Sequence, residues 1–409
     1  MDKKRYLEPI ITEICFSSGK MAFVSGPRQA GKTTMAKQLL KERKAGHYYN
    51  WDELKFRRLW AKDPSKVIPE QPGAIKPLII LDEIHKAKFW KRSLKGLYDT
   101  LEIPCDILVT GSARLNVYRK GSDSLMGRYY HFRFHPFSLA EMLPSHELIP
   151  SENLLTALLA RCKKADSQTR EYFNQLYEFG SFPEPLFSGS KRILRLWQKN
   201  RVEKIVREDL RDLSRLPELS QIEMLTTLLP DRVAQPLSIR SLSEDLEVAY
   251  TTIKRWLNYL KELYYCFELR PYFKSISRSI KKEGKLYLWD WSEIEIEGAR
   301  FENMIASHLL KYCHYLTDAG FGTFDLCYLK NKEKKEIDFL IVKDKKPWLP
   351  IEAKLNHDNP SENWRAFSHF LDCSYVIQVT KKSGVFELID QQQTQILIIS
   401  ADEFLNYLI

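Results

Sequence analysis

The residues with the clearest chemical meaning form a glycine-bounded loop at 26–33, with the sequence G-P-R-Q-A-G-K-T. The loop follows the apolar run Met21–Ser25 and precedes good helix formers at 35–44. Glycines in this strand–loop–helix context let backbone N–H groups point at phosphate oxygens, while the lysine binds the β- and γ-phosphates and the hydroxyl holds Mg²⁺. A chance glycine-rich turn is the alternative. The residues predicted to bind a nucleoside triphosphate with Mg²⁺ are Gly26, Arg28, Gln29, Ala30, Gly31, Lys32, Thr33 and Thr34.

A second acidic element is predicted to complete this site. Residues 76–85 read K-P-L-I-I-L-D-E-I-H, a continuous apolar run that ends in two acids. Such a run is typical of a parallel strand buried on both faces. We expect Asp82 to hold Mg²⁺ and Glu83 to act as general base on the attacking water. The alternative is an acidic strand end that faces solvent.

Two further positions lie next to predicted strands. The run at 105–111 ends in T-G-S-A-R, where Thr110 or Ser112 is placed to contact the γ-phosphate or to position water, although a turn also favours Gly and Ser. Arg128 precedes a strand at 129–134 and is a candidate to neutralise transition-state charge at a neighbour's nucleotide. From spacing alone, a surface arginine is the better interpretation of Arg128.

The last third of the chain carries a second candidate site. Asp338 lies within an apolar strand, where an ionised carboxylate is costly unless it meets a cation. Glu352 and Lys354 alternate onto one face of the next strand, and Glu302 lies on a predicted helix from about 297 to 313. Acids and a lysine that converge at paired strands can bind Mg²⁺ and activate water against a phosphodiester. The alternative is a structural ion pair at Asp338 or Lys354 without cleavage.

The middle of the chain is predicted to be helical and to contain a winged helix. Apolar spacing is helical from 151 to about 229. A short helix at 241–246 and a longer one at 250–263 follow, and segments 266–273 and 285–290 are candidates for the wing. On the longer helix Ile253, Trp256, Leu257 and Leu260 form an apolar stripe, and another face carries Thr251, Lys254, Arg255 and Asn258. An ordinary helical hairpin remains the alternative to DNA contact.

Length and composition limit the classes of protein. A chain of 409 residues predicts two to four domains. The net charge of +10 is compatible with nucleic acid but common among other proteins. No apolar run is long enough to span a bilayer, the N-terminus lacks signal-peptide features, and the seven cysteines are scattered without a C-x-x-C pair. We therefore expect a cytoplasmic protein with no membrane association.

Taken in order, the motifs resemble those of AAA+-related bacterial and archaeal ATPases that carry a C-terminal domain of unknown function, DUF4143. The resemblance implies an ASCE-type sheet, Glu83 as the catalytic glutamate and Ser112 near the sensor position. It also implies Arg128 as an arginine finger. The similarity rests on G-P-R-Q-A-G-K-T-T, L-D-E-I-H-K, L-V-T-G-S-A-R, S-L-M-G-R-Y, F-H-P-F-S-L-A-E, G-S-F-P-E-P and T-T-I-K-R-W-L-N-Y-L.

The C-terminal set also resembles the PD-(D/E)XK nuclease superfamily. By that resemblance Asp338 and Glu352 are metal ligands, Lys354 orients the nucleophilic water and Glu302 assists. E-x-K by itself is uninformative, because it recurs at Glu42, Glu53, Glu283 and Glu333.

These observations predict an α/β chain of four units. They are a P-loop ATPase core with a parallel sheet at 1–150, a helical lid at 151–235, a winged helix at 236–290 and a restriction-endonuclease-like α/β domain at 291–409. The predicted function is ATP hydrolysis that controls a Mg²⁺-dependent nuclease module on nucleic acid, with DNA favoured and a homo-oligomer formed through the finger. The alternative is a nucleotide-switched DNA- or protein-binding scaffold with an inactive C-terminal domain. A small-molecule kinase is a weaker alternative, because no acceptor-binding segment stands out.

Overall fold

The computed structural model divides the chain into two compact units, Met1–Pro136 and Phe137–Ile409, and each is described separately. The first boundary therefore lies inside the range predicted for the first domain. Residues described by the structure are 3–71, 73–112, 125–144, 151–210, 218–273, 283–331, 333, 335–356, 360–361, 363–367, 371, 373–391 and 394–409.

The first unit is built on a parallel sheet, which confirms the predicted class of fold. Its strands are β1 (Met21–Ser25), β2 (Gly46–Asn50), β3 (Leu78–Asp82), β4 (Asp106–Gly111) and β5 (Tyr129–Arg133). They are ordered β2-β3-β4-β1-β5, and every pairing is parallel. Strands β1, β3 and β4 are buried along their whole length, as expected for continuous apolar strands covered on both faces. This order brings the carboxyl ends of β1, β3 and β4 together at one edge.

Helices cover this sheet. They are α1 (Glu8–Ile10), which continues as a π-helix over Ile11–Phe16, α2 (Lys32–Arg43), α3 (Leu54–Lys62) and α4 (Trp90–Asp99). Aromatic and aliphatic side chains such as Phe23, Trp60 and Leu94 form a core with the sheet. Helix α2 begins three residues before the predicted start at residue 35, because the loop passes directly into its first turn. Lys32, Thr33 and Thr34 therefore form the first turn of α2, and their side chains project from the N-terminus of this helix.

The second unit opens with helices. They are α5 (Leu139–Met142), α6 (Leu154–Leu159), α7 (Ser167–Phe179), α8 (Pro183–Ser188), α9 (Lys191–Glu203), α10 (Leu219–Leu228), α11 (Ile239–Asp245) and α12 (Tyr250–Glu262). The helical spacing predicted for 151–229 is thus confirmed in the described residues. Helix α11 begins earlier than the predicted residue 241, because the side chain of Ser238 caps it by accepting a hydrogen bond from the Ser241 N–H.

A mixed sheet occupies the rest of the second unit. Its strands are β6 (Cys266–Pro271), β7 (Lys285–Leu288), β8 (Phe324–Lys330), β9 (Glu336–Lys343), β10 (Lys346–Lys354), β11 (Tyr375–Thr380), β12 (Phe386–Gln391) and β13 (Thr394–Ser400), with helices α13 (Glu297–Asp318), α14 (Asn363–Phe367) and α15 (Ala401–Asn406). The order is β12-β13-β11-β10-β9-β8-β6-β7.

The candidate wing belongs to this same sheet. Strands β6 and β7 pair antiparallel, and β6 pairs with β8 at Arg270 and Pro271. Helix α13 extends five residues beyond the predicted end at 313, because Tyr315 and Leu316 are buried. No helix in the described ranges is both long and apolar enough to cross a membrane.

Candidate nucleotide site and carboxylate cluster

The phosphate loop has the backbone geometry that its glycines permit. Gly31 immediately before α2 adopts φ of 102°, and Gln29 adopts φ of 62°. Both values lie in the left-handed region, which glycine occupies at little cost and which Gln29 adopts as a non-glycine residue. At Gly26 a β-carbon would overlap the carbonyl oxygen of Phe134, so this position needs glycine for close backbone approach. The loop predicted from the sequence is therefore formed between β1 and α2.

The side chains of the loop divide by exposure. Ala30 is fully buried, Arg28 is half-buried, and Gln29 and Thr34 are exposed. The Lys32 ammonium donates to the carbonyl oxygens of Gly26 and Pro27 at 2.9 and 2.7 Å, so the loop curls around the lysine. This places the lysine of the motif inside the curve of the loop.

Asp82 lies at the centre of the site. Its carboxylate accepts hydrogen bonds from Thr33 on α2 at 2.9 Å and from Thr110 on β4 at 2.6 Å. The register pairs Asp82 directly with Thr110. A carboxylate beside a helix-N-terminal hydroxyl is the hard oxygen donor set that Mg²⁺ prefers. Thr33 and Asp82 therefore fit the metal predicted for this site.

Tyr48 is a member of the site that sequence reasoning missed. Its hydroxyl on β2 donates to Asp82 at 2.7 Å, and burial together with the Asp82 charge raises the Tyr48 pKa above its usual value. Nothing in the segment G-H-Y-Y-N marks this residue. The contact arises because β2 pairs with β3, a non-local feature.

Glu83 is placed differently from its neighbour. It has φ of 58°, a left-handed conformation that costs a non-glycine residue about 1 kcal/mol, and its N–H donates to the Thr110 carbonyl at 2.9 Å. Strained backbone of this kind clusters at active sites, although other residues such as Lys44 and Phe89 adopt it here as well. Burial raises the pKa of Glu83, and the charges of Lys86 and Lys32 oppose that shift. The carboxylate lies 3.4 Å from His85 Nε2 and 3.6 Å from Lys86 Nζ.

Ser112 lies at the carboxyl ends of the strands, and Arg128 lies at their amino ends. Ser112 is buried directly after β4, whose Gly111 pairs with Ser25 at the start of the loop. Arg128 precedes β5, and its carbonyl accepts from Met21 at the amino end of β1. Five residues of β1 separate that end from the loop, roughly 17 Å. The guanidinium donates to both oxygens of Asp99, at 2.6 and 2.9 Å.

Two of the predicted C-terminal residues, Glu302 and Asp338, contact a buried lysine that was not predicted from the sequence. The Lys285 ammonium contacts carboxylates of Glu302 at 3.1 Å and of Asp338 at 3.7 Å, and it also pairs with Glu336. Its side chain is 1% exposed. The nearby charges raise the Lys285 pKa although burial alone lowers it, so the lysine is charged. The available signal was a lysine within the apolar strand K-L-Y-L.

The remaining residues of the predicted nuclease set also have bonded partners. Lys354 pairs with Glu352 at 2.7 Å, and Asp338 accepts from the Ala353 N–H at 3.0 Å. Glu302 accepts from the Tyr287 hydroxyl at 2.7 Å. Burial, with the nearby Asp338 charge, raises the pKa of Glu302 to about 7, and burial likewise raises that of Glu352.

The carboxylate cluster, defined as Glu302, Glu336 and Asp338 around Lys285, fits an ammonium group better than Mg²⁺. The chain itself supplies one buried cation that contacts all three carboxylates. Within the described ranges, no group of three or more His, Cys, Asp or Glu side chains is arranged to hold a metal ion. Asp338 and Glu352 are brought to adjacent strands as predicted, and their metal-binding role stays a prediction.

Comparisons with known families divide the chain into three regions. Residues 18–143 match the model of an AAA domain, 170–292 a domain of unknown function (DUF8612), and 297–400 a domain of unknown function (DUF4143). The first and last of these regions are therefore similar to an AAA domain and to DUF4143, in agreement with the resemblance found in the sequence motifs.

Similar proteins are themselves uncharacterised. An uncharacterised protein of Methanocaldococcus jannaschii is 26% identical over 355 residues, covering 76% of this chain and 73% of its own length. One from Mycobacterium tuberculosis is 24% identical over 270 residues, covering 66% of this chain and 54% of its own length.

Among solved structures, the Walker-type ATPase PABY2304 of Pyrococcus abyssi is similar with a TM-score of 0.39 at 14% identity, covering 70% of this chain and 95% of that one. AMPPCP-bound DnaA from Aquifex aeolicus gives a TM-score of 0.28 at 14% identity, covering 64% and 89%.

Replacing the buried lysine tests the assignment of the carboxylate cluster. We expect Lys285→Met to lower the free energy of unfolding by about 3 kcal/mol at pH 7, because three carboxylates lose their buried cation. The loss should shrink towards pH 5, since carboxylates without the lysine are more easily protonated. Urea unfolding at both pH values measures both effects.

The matched control is Lys330→Met, because Lys330 also pairs with Glu336, at 2.9 Å, but its side chain is 35% exposed. An ion pair of this exposure contributes about 0.5 kcal/mol or less. Equal losses for the two variants would contradict the role assigned to Lys285.

Proposed function

We propose that the first unit binds ATP with Mg²⁺ and hydrolyses it. The observation that carries this proposal is the Asp82 carboxylate, held by Thr33 of the loop helix and Thr110 of the neighbouring strand. Bound ATP supplies the phosphoanhydride bond, and Mg²⁺ supplies charge neutralisation at its phosphates. The AAA-type domain supports ATPase chemistry over the small-molecule kinase alternative.

The roles of the residues follow from their positions. The loop N–H groups and the N-terminus of α2 favour phosphate, and Lys32 adds a cation inside the loop. Thr33 and Asp82 hold Mg²⁺. Glu83 accepts the proton of the attacking water, and its raised pKa makes it a stronger base than an exposed glutamate. Ser112 positions the γ-phosphate from the end of β4.

For the second unit we propose nucleotide-controlled binding of DNA without cleavage. Helix α12 buries Ile253, Trp256, Leu257 and Leu260 and exposes Thr251, Lys254, Arg255 and Asn258, as its period predicted. Preceded by α11 and followed by the β6–β7 hairpin, that exposed face has the composition of a recognition helix. The lysine in the carboxylate cluster favours a non-cleaving domain over the Mg²⁺-dependent nuclease.

We further propose that Arg128 acts on the nucleotide of a neighbouring copy. The residue lies at the amino ends of the strands, whereas the phosphate loop lies at their carboxyl ends. It therefore cannot reach its own loop from its place before β5. A role in hydrolysis therefore requires a homo-oligomer. The Asp99 pair orients the guanidinium in the single chain.

Two variants test the ATPase assignment. Lys32→Ala is expected to lose ATP binding, because the loop loses its phosphate cation. Glu83→Gln is expected to bind ATP with near-normal affinity and to hydrolyse it at least 100-fold more slowly, because the base is removed. Equilibrium binding and phosphate release measure the two properties.

The matched control for Glu83 is Glu53→Gln, an exposed glutamate before α3. It should leave both properties unchanged. Wild-type hydrolysis that persists in Glu83→Gln would refute the catalytic assignment.

Charge reversal on α12 tests DNA association. We expect the double variant Lys254→Glu/Arg255→Glu to weaken binding of duplex DNA at least tenfold and to reduce the salt dependence of the binding constant, because two phosphate contacts are lost. Fluorescence anisotropy at several salt concentrations measures both. The control Lys346→Glu, an exposed lysine at the start of β10, should bind like the wild type.

The same preparations decide whether the C-terminal domain cleaves. With Mg²⁺ and ATP, supercoiled and branched DNA should remain intact with both wild type and Asp338→Ala. Cleavage by the wild type that disappears in Asp338→Ala would replace the binding proposal with the nuclease.

Mixing two inactive variants tests action between copies. Arg128→Ala keeps an intact loop, and Lys32→Ala keeps Arg128. If Arg128 acts on a neighbour, a mixture of the two should recover hydrolysis that neither shows alone. Asp99→Asn is the control, because it breaks the same ion pair while leaving the arginine; it should retain hydrolysis. A mixture that stays inactive counts against the finger.

A further inference from the structure

The side chain of Arg5 contacts the phosphate loop from behind. It is 4% exposed, and its guanidinium donates to the Ala30 carbonyl at 2.9 Å and to the His135 carbonyl at 2.7 Å. It also lies 4.2 Å from the centroid of the Phe134 ring. One planar group thus joins the loop to the segment after β5.

The segment around Arg5 is itself fixed. The Arg5 N–H donates to Glu8 at 2.7 Å. The hydroxyl of Tyr6 donates to the Arg133 carbonyl at 2.7 Å and accepts from the His135 N–H at 3.0 Å. Phe134 in turn donates to the Ser25 carbonyl at 2.7 Å, next to Gly26. The guanidinium is therefore held in place before it meets the loop.

The contact with Ala30 has a consequence on the other side of the same peptide. A trans peptide is planar, and its C=O and N–H point in opposite directions. Because Arg5 holds the Ala30 carbonyl oxygen, the N–H of Gly31 on the opposite side of the peptide is directed away from Arg5. We expect this N–H to face the inside of the loop, where N–H groups are the phosphate donors of a phosphate loop. The left-handed φ of Gly31 is part of the same arrangement.

We propose that Arg5 is a positioning residue that sets the phosphate-binding geometry of the loop. The role rests on the ATP binding proposed above. Arg5 touches no phosphate; it orients the peptide that does. Lysine cannot replace it fully, because an ammonium group lacks the planar fork that reaches two carbonyls and stacks on an aromatic ring.

The test compares Arg5→Ala and Arg5→Lys with the wild type in ATP affinity, KM and kcat. We expect the KM for ATP to rise at least tenfold in Arg5→Ala and less in Arg5→Lys, with kcat at saturation within about threefold of the wild type. Tens of millimolar guanidinium should restore ATP affinity to Arg5→Ala, by filling the lost position, and should not change the wild type. A purely structural role predicts lower thermal stability without this specific rescue.

The control is Arg43→Ala, which removes an arginine paired with Asp106 at 2.7 Å on the same unit but away from the loop. Its KM should equal that of the wild type. If the wild type binds ATP and both Arg5 variants bind it equally well, the role of Arg5 is refuted while the ATPase stands. If the wild type binds no ATP, both fall. Should Arg5→Ala fail to fold, an unchanged KM in Arg5→Lys together with an unchanged KM in Arg5→Gln would refute the role.

Discussion

The first unit depends on one buried carboxylate whose hydrogen-bond donors are all uncharged. Asp82 is 3% exposed, and the side chains of Thr33, Tyr48 and Thr110 that donate to it are neutral hydroxyls. These bonds satisfy its oxygens and hold β2, β3, β4 and α2 together, and none of the three donors is a cation. A buried ionised carboxylate is costly without a cation. Asp82 is therefore suited to the Mg²⁺ proposed for this site.

In the second unit, the chain itself supplies a cation to the buried carboxylates. Its carboxylates, Glu302, Glu336 and Asp338, surround the buried ammonium of Lys285. Removing the lysine from such a cluster is destabilising, because the carboxylates then lose their buried cation. Two acidic sites with similar sequence signatures thus differ in whether the chain provides the cation. That difference favours the non-cleaving alternative for the second unit, while metal binding at Asp338 and Glu352 stays a prediction.

Sequence reasoning succeeded where the signal was local. A strand or helix period within a few residues predicts the apolar runs of β1 and β3 and the stripe of α12. The phosphate loop is likewise recognised from a short motif bounded by glycines. Sequence reasoning missed Tyr48, Lys285 and Arg5, whose partners lie 34, 17 and 25 residues away along the chain. Their roles arise from strand order and from packing of the N-terminal segment. The predicted start of α2 was three residues late, because Gly31 lets the loop enter the helix without a side-chain cap.

The segment that supports the loop is also where the chain leaves the first unit. Phe134 lies against Gly26, His135 accepts from Arg5, and the first unit ends at Pro136. Beyond it, Ser138 and Glu141 cap α5 and Lys311 pairs with Glu141 in the buried interior. The main chain therefore runs from a segment bonded to the phosphate loop directly into a capped helix buried within the second unit.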